Sequence, residues 1–429
     1  MRTLRFDTPE WRRHLARVGS RAGRRPEVVR AVKAILRRVE REGDTALLSL
    51  TARLDGVQLT PSTLRVPAAE LRALARRADP ELVRALRRMA RRIEVYHRRQ
   101  LDGGFRLRLP GGGAIEEIVS PLDSVGLYVP GGGGAYPSSV LMNAIPARVA
   151  GVRRIVVVTP PRSLESNPAV AAALVVAGVV EWVFRVGGAQ AVAALAFGTT
   201  AIPAVPKIVG PGNRFVAEAK RQVRGMVEVD SDAGPSEVVV LADDSADPGH
   251  VASDLLAQAE HGSGEEAVAL VTPSRALRDA VARLVEQGIR AVANPGAARR
   301  ALRRRGALVL VRDLDQGVAA VNALAPEHAL VIARSARSLA RRVVAGAVFV
   351  GPHAPVAVGD YGVGPNHVLP TGGTARRSSA LSVRDFQRRH SLVRTTRADL
   401  RRLSADLVRV ALAEGFQGHA QSVLTRLEA

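Results

Sequence analysis

The residues best suited to chemistry in this sequence are one amide, several imidazoles and a few carboxylates. In Asp254-Leu-Leu-Ala-Gln258-Ala-Glu-His261-Gly262, Gln258 and His261 stand three apart and would share a helix face. Gly262 is expected to end that helix and leave His261 in its last turn, open to a site. Gly359-Asp360-Tyr361 reads as a polar turn after an apolar strand, and Glu414-Gly-Phe-Gln-Gly-His419 adds a carboxylate and an imidazole in a tail helix. Neutral imidazole and carboxylate are ordinary zinc donors. Taken alone, His261 reads better as a capping or surface residue; the company of Asp360 and His419 brings a metal into view.

Ala325-Pro-Glu327-His328 sets an acid beside an imidazole immediately before an apolar strand, an arrangement suited to moving protons. In isolation, a helix-terminal Glu and a satisfied His explain it better. Gly364-Pro-Asn-His367 holds a further imidazole on a Gly/Pro loop. Glycine-bearing turns follow three strand-like runs: Tyr128-Val-Pro-Gly-Gly-Gly-Gly134, Gly187-Gly-Ala-Gln190 and Gly210-Pro-Gly-Asn213. Each turn alone suits a structural role. Ligands of open α/β sheets bind outside the carboxyl ends of the strands, so three such turns on one edge point to a cleft for one extended ligand. The G-x-G-x-x-G fingerprint of dinucleotide sites is not met in its usual place, because Gly262-Ser-Gly264 follows a helix rather than opening one.

These residues need a scaffold, and apolar periodicity outlines one. Residues 26–100 read as helices, with Val28, Val32, Ile35, Leu36 and Val39 on one stripe and Leu82, Leu86, Met89 and Ile93 on another. Strand-like runs at Val125–Val129, Ile155–Val158 and Val183–Val186 alternate with helical candidates at 138–150, 168–178 and 189–197. A second series of strands follows at Val238–Leu241, Val268–Val271, Leu308–Val311, Leu330–Ile332 and Val348–Val350. Such alternation predicts mainly parallel sheets covered by helices on both faces. The expected organisation is α/β: an N-terminal helical segment over 1–106, partly packed on the second α/β domain; a first α/β domain over 107–234; a second over 235–380 carrying the metal and catalytic candidates; and an Arg-rich helical tail over 381–429.

Composition narrows the chemistry. The chain has 429 residues and no cysteine, which excludes disulfides, thiolate metal sites and a thiol nucleophile. Its net charge of +22 invites a nucleic-acid reading. That charge is almost all arginine on helical segments such as Arg87-Arg88 and Arg91-Arg92, and aromatics are 3% of residues, too sparse for a stacking platform. Solvated helix faces are the plainer account, with no specific nucleic acid as partner. No apolar run is long enough to span a bilayer, and the opening residues lack the core of a secretory signal. A cytoplasmic protein is expected.

Several blocks, in this order, closely resemble the histidinol dehydrogenase family: Val125-Gly-Leu-Tyr-Val-Pro-Gly-Gly, Val140-Leu-Met-Asn-Ala-Ile-Pro-Ala, Arg185-Val-Gly-Gly-Ala-Gln, Val209-Gly-Pro-Gly-Asn, Ala233-Gly-Pro-Ser-Glu-Val, Gln258-Ala-Glu-His, Ala325-Pro-Glu-His, Val358-Gly-Asp-Tyr and Gly364-Pro-Asn-His-Val-Leu-Pro-Thr-Gly-Gly-Thr-Ala. The resemblance implies two Rossmann-like, aldehyde-dehydrogenase-like three-layer domains. It also implies the four-electron oxidation of L-histidinol through L-histidinaldehyde to L-histidine, with two NAD used per turnover. Gln258, His261, Asp360 and His419 would then bind one zinc per subunit. Tyr128, Gln190 and Asn213 would contact NAD, and Ser236, His367 and Glu414 the substrate, together with the zinc ligands and His328. Glu327 and His328 would be the acid–base pair, and the family's homodimer would supply His419, Glu414 and His367 across the interface.

Two positions depart from the family pattern. Val356 stands where Glu is usual, and Glu228-Val-Asp-Ser-Asp replaces a Gly-Ile-Asp-Met run. A related NAD-linked dehydrogenase of another polar alcohol, or a basic nucleic-acid-binding protein without catalysis, are the rival readings. The lack of cysteine favours aldehyde oxidation through a hydrate, since no thiohemiacetal can form.

Overall fold

A computed structural model describes residues 1–19, 25–131, 136–230 and 234–428. Gly132–Gly134 of the first glycine turn, Ser231 and Asp232 of the altered run, and Ala233 therefore lie outside the described residues. The chain opens with strand β1 (Arg2–Arg5). After the helices come an exposed hairpin, β2 (Phe105–Arg108) and β3 (Ala114–Pro121), and a first series, β4 (Ser124–Tyr128), β5 (Arg154–Thr159), β6 (Val183–Arg185), β7 (Lys207–Val209) and β8 (Glu228–Val229). The second series is β9 (Glu237–Ala242), β10 (Ala267–Thr272), β11 (Ala307–Leu310), β12 (His328–Ile332) and β13 (Ala347–Val350), and β14 (Gln387–Arg394) follows.

The first series forms a parallel sheet in the order β6-β5-β4-β7-β8. Its strands are buried on both faces, which is why they read as continuous Val/Ile/Leu runs rather than alternating ones. One face packs on the helices Ala68–Ala75, Pro80–Arg98, Pro137–Ala150 and Pro168–Val176, and the other on Pro26–Asp55, Gly188–Phe197 and Arg214–Val223. The second series forms the parallel sheet β1-β11-β10-β9-β12-β13. Here too successive side chains part to opposite cores. Val238, Val240, Leu330 and Ile332 meet the helices Pro248–Ala259 and Arg275–Gly288, whereas Val239, Leu241, Ala329 and Val331 meet Trp11 and the helix Leu314–Leu324.

The ends of the chain contain strand as well as the expected helix. β1 adds to the edge of the second sheet, pairing Arg2–Arg5 with Ala307–Leu310, and Trp11 on the following helix docks beneath it. Residues 26–98 instead pack on the first sheet. Likewise, residues from 381 onward do not pass directly into helix. β14 pairs antiparallel with β3 over eight residues to make a small separate sheet, β14-β3-β2, before the helices Arg397–Ala413 and Gln417–Glu428. No helix among the described residues is long and apolar enough to cross a membrane.

Candidate active site

His328 opens β12, and the two-residue repeat of a strand puts it on the same face as Leu330 and Ile332, the face covered by the helix Pro248–Ala259. Across the ladder stands β9, with His328 opposite Val238. The His328 Nδ1–H donates to the main-chain oxygen of Glu237 at 3.0 Å. A carbonyl can only accept, so this bond fixes the tautomer and leaves the lone pair on Nε2. That Nε2 is buried without a hydrogen-bond partner and faces the Asp360 carboxylate at 3.9 Å. Burial lowers the His328 pKa to about 4, and the nearby His261 and His367 add to the fall. The ring is a neutral base aimed into the site.

Glu327 and Glu237, at the starts of neighbouring strands, exchange main-chain contacts. Glu237 N–H donates to Glu327 Oε2 at 2.9 Å, and Glu327 N–H donates to Glu237 Oε2 at 3.2 Å. The other Glu237 oxygen accepts the Gly372 N–H at 3.1 Å, while Thr371 Oγ1 accepts that of Gly234 at 2.7 Å. Glu237 thereby ties the segment bearing Ser236, the acid–base pair and the loop after His367. Burial raises Glu237 to about 7 and Glu327 well above the usual carboxyl range, the charges of Glu237 and Asp360 contributing to the latter. At about 7, the Glu237 carboxyl can give and take protons near neutrality.

Gln258 lies in the helix Pro248–Ala259, but His261 sits two residues past its end rather than in its last turn, with Gly262 at φ +101°. The side-chain amide of Gln258 is buried with its terminal nitrogen unpartnered; a half-turn of the amide would present its oxygen, the donor a metal needs. His261 Nδ1 is engaged with Ser236 Oγ at 3.0 Å, which leaves Nε2 free. The His261 ring keeps an exposed edge, yet dehydration by its neighbours lowers its pKa below the usual imidazole value. Asp360 is not on a turn: it belongs to the short helix Val356–Tyr361, seated closely because a Cβ at Gly359 would stand 2.6 Å from the Phe349 ring. Burial raises Asp360 to about 6, and its Oδ1 is 3.9 Å from His367 Nδ1. The apolar run Val356-Ala-Val358 starts this helix, with Val356 buried in the core.

His261 and Asp360 are of types that fit zinc, and Gln258 would be with its amide turned. No group of three His, Asp or Glu placed to hold a metal occurs among the described residues. His419 lies in the tail, its ring 5.2 Å from that of Phe416. With Glu414 it lines a groove of about 720 Å³ between the two tail helices. Glu414 itself caps the first of those helices, and Gly415 at φ +81° breaks the expected single tail helix in two.

Tyr128, Gln190 and Asn213 line one cleft of about 1020 Å³ at the carboxyl ends of the first sheet's strands. The Tyr128 hydroxyl accepts the Gly188 N–H at 3.0 Å, and burial pushes the phenol up to about 12. Gln190 Nε2 donates to Asp55 Oδ2 at 3.2 Å, and its Oε1 is buried without a partner. Asn213 Oδ1 caps the helix Arg214–Val223 by accepting from Phe215 and Val216 N–H. Gly131 lines the cleft, and Ser139, in the first turn of the helix Pro137–Ala150, has its Oγ 3.3 Å from His367 Nε2.

A model of the family described as histidinol dehydrogenase matches residues 20–427. The chain belongs to the histidinol dehydrogenase family. The histidinol dehydrogenase of Syntrophotalea carbinolica is 45% identical over 430 residues, covering 100% of this chain and 99% of that one. That of Gluconobacter oxydans is 48% identical, covering 94% and 93%. The crystal structure of histidinol dehydrogenase from Elizabethkingia anophelis superposes with a TM-score of 0.93 at 31% identity, covering 100% of this chain and 98% of that one. An acetylating aldehyde dehydrogenase from Geobacillus thermoglucosidasius, 13% identical, shares the fold with a TM-score of 0.51 over 86% of this chain and 97% of its own. The histidinol dehydrogenase family carries out NAD-dependent oxidation of histidinol to histidine.

In this member of the histidinol dehydrogenase family, Ser236, His261, Glu327, His328, Asp360 and His367 belong to one neighbourhood, and Gln258 is on the helix that covers it. Tyr128, Gln190 and Asn213 belong to the adjoining cleft, and Glu414 and His419 to the tail. Sequence reasoning missed Glu237, Ser139 and Asp55. Glu237 had a signal, since it follows Gly234-Pro-Ser236 directly and an acid opening a buried strand needs partners. Ser139 and Asp55 had none: each is a small polar residue on a helix, and only the fold brings it to the site.

Proposed function

We propose that the chain oxidises L-histidinol where the cleft of the first sheet meets the amino edge of the second. As a histidinol dehydrogenase it is an NAD-dependent oxidoreductase of histidine biosynthesis. Gln258, His261 and Asp360 of one subunit and His419 of a second would hold one zinc ion, which when bound would supply a Lewis acid to grip the substrate's imidazole and amino nitrogens. NAD would lie in the cleft against Tyr128, Gln190 and Asn213, two molecules in succession taking hydride. Ser236, His367 and the second copy's Glu414 would orient histidinol.

His328 Nε2 takes the alcohol proton, because its lone pair is fixed toward the site by the bond from Nδ1–H. Glu327 then takes a proton from the water that hydrates the aldehyde, and His328 assists. The observation that carries this reading is the buried, unpartnered His328 Nε2 facing Asp360, with Glu327 Oε2 3.5 Å from Nδ1 of the same ring. A homodimer is supported by apolar residues left bare on the tail, such as Val410 at 57% and Phe416 at 53% exposure, and by the open hairpin residues Phe105 and Leu107. A soluble dinucleotide cofactor suits a cytoplasmic home.

The test is NADH formation from L-histidinol before and after chelation, then with zinc restored. NADH should appear, fall with the chelator and return with zinc. No histidinol-dependent NADH from folded, zinc-loaded protein would overturn the proposal.

A further inference from the structure

Only Lys33, Lys207 and Lys220 among 62 basic residues are lysines, and Lys207 and Lys220 are both buried. Lys33 is exposed, but the two buried lysines stand where a compact ammonium fits and a wide planar head does not. Lys220, on the helix Arg214–Val223, donates from Nζ to the main-chain oxygen of Gly210 at 3.0 Å and to the Asp230 carboxylate. The second Asp230 oxygen accepts the Gly210 N–H at 2.7 Å. Both polar groups of one glycine are thus held by one ion pair, whose side chains are only 7% and 5% exposed.

Gly210 needs such holding. Its φ is +108°, and a Cβ there would strike the Tyr128 backbone. It opens the turn that leads to Asn213 and abuts the strand that ends in Tyr128. Buried ion pairs are an inefficient source of stability, since well-packed apolar groups often serve as well, and fixing a unique geometry is their better-attested use. We propose that the Lys220–Asp230 pair is a positioning clamp on the Gly210–Asn213 turn that sets the affinity for NAD. The clamp rests on the reading that NAD occupies the Tyr128–Gln190–Asn213 cleft.

Lys220→Met alone would strand a buried carboxylate, so the informative variant is Lys220→Met with Asp230→Asn, which keeps an acceptor for Gly210 N–H and loses the ion pair and the donor to the Gly210 oxygen. Calorimetric titration with NAD should show the dissociation constant raised about tenfold, the order expected for a lost charge-assisted hydrogen bond. KM for NAD should rise with it, while KM for L-histidinol and zinc content stay unchanged. Asn213→Ala should weaken NAD binding as well, and combining it with the double variant should add less than the separate effects predict. Unchanged NAD affinity in the double variant, with Asn213→Ala effective, would refute the clamp alone. If Asn213→Ala has no effect, the cleft assignment fails and the clamp with it. Equal losses toward NAD and histidinol would mark the pair as general structure and overturn the proposal.

Discussion

At the scale of single residues, the division of labour proposed for Glu327 and His328 rests on what each can exchange. His328 is held by its Nδ1–H with Nε2 bare and, with a pKa of about 4, neutral at ordinary pH. It can accept a proton but carries none to lose. Glu327 is raised by burial well above the usual carboxyl range, so it takes up a proton more readily than a free carboxylate does. Replacing His328 by Asn removes the base while leaving the proposed zinc ligands in place. Turnover should fall by about a hundred- to ten-thousand-fold, the usual worth of a positioned base, with zinc content and histidinol binding retained. Glu327→Gln should slow oxidation of supplied L-histidinaldehyde more than oxidation of L-histidinol. Stopped-flow traces of NADH from each substrate measure both, and near-normal turnover in His328→Asn or equal retention of both steps in Glu327→Gln would refute the assignment.

At the scale of elements, the N-terminal strand and helix depend on a buried imidazole. His14 is 2% exposed, 6.1 Å from the Trp11 ring, with its pKa lowered from 6.5 to about 4 by burial and by Arg17 and Arg2. The folded state therefore prefers the neutral ring. This preference is complete above the ordinary histidine pKa and is lost as pH falls toward the depressed value, a difference on the order of 3 kcal/mol. Melting temperature should drop as pH is lowered from about 7 to about 4, and His14→Phe should flatten that slope. Identical slopes for the two proteins would rule out His14 as a cause.

The same elements show what periodicity can and cannot reveal. The runs that became β4, β5, β9 and β10 are legible because both of their faces are buried. β1 and β14 escaped notice because Arg2-Thr-Leu-Arg and Gln387-Arg-Arg-His-Ser-Leu-Val-Arg lie at sheet edges and show mostly exposed side chains. Asp360 was misread as a turn residue because a six-residue helix offers too few positions for a helical pattern. Pro326-Glu327-His328 could be seen as chemistry from the sequence, but its partner Glu237 lies 90 residues away and is joined only by strand pairing.

At the scale of the whole molecule, the question is which copy supplies His419. The tail packs on itself, with apolar faces open, and the proposed zinc site at Gln258, His261 and Asp360 calls for His419 as its fourth ligand. If the tail reaches into a second subunit, two inactive variants can repair each other. His419→Asn lacks the tail ligand but keeps an intact body, whereas His328→Asn lacks the base but keeps an intact tail. In a mixed dimer, the body of the first and the tail of the second make one working site, and the other site carries both defects. Random exchange at equal amounts makes half the dimers mixed, so activity should recover to about a quarter of the unmutated level. Unfolding and refolding the variants together, then separately, and assaying NADH from L-histidinol measures the recovery. Activity that stays at the level of the separate variants, although mixed dimers are detected, would show that His419 serves its own chain.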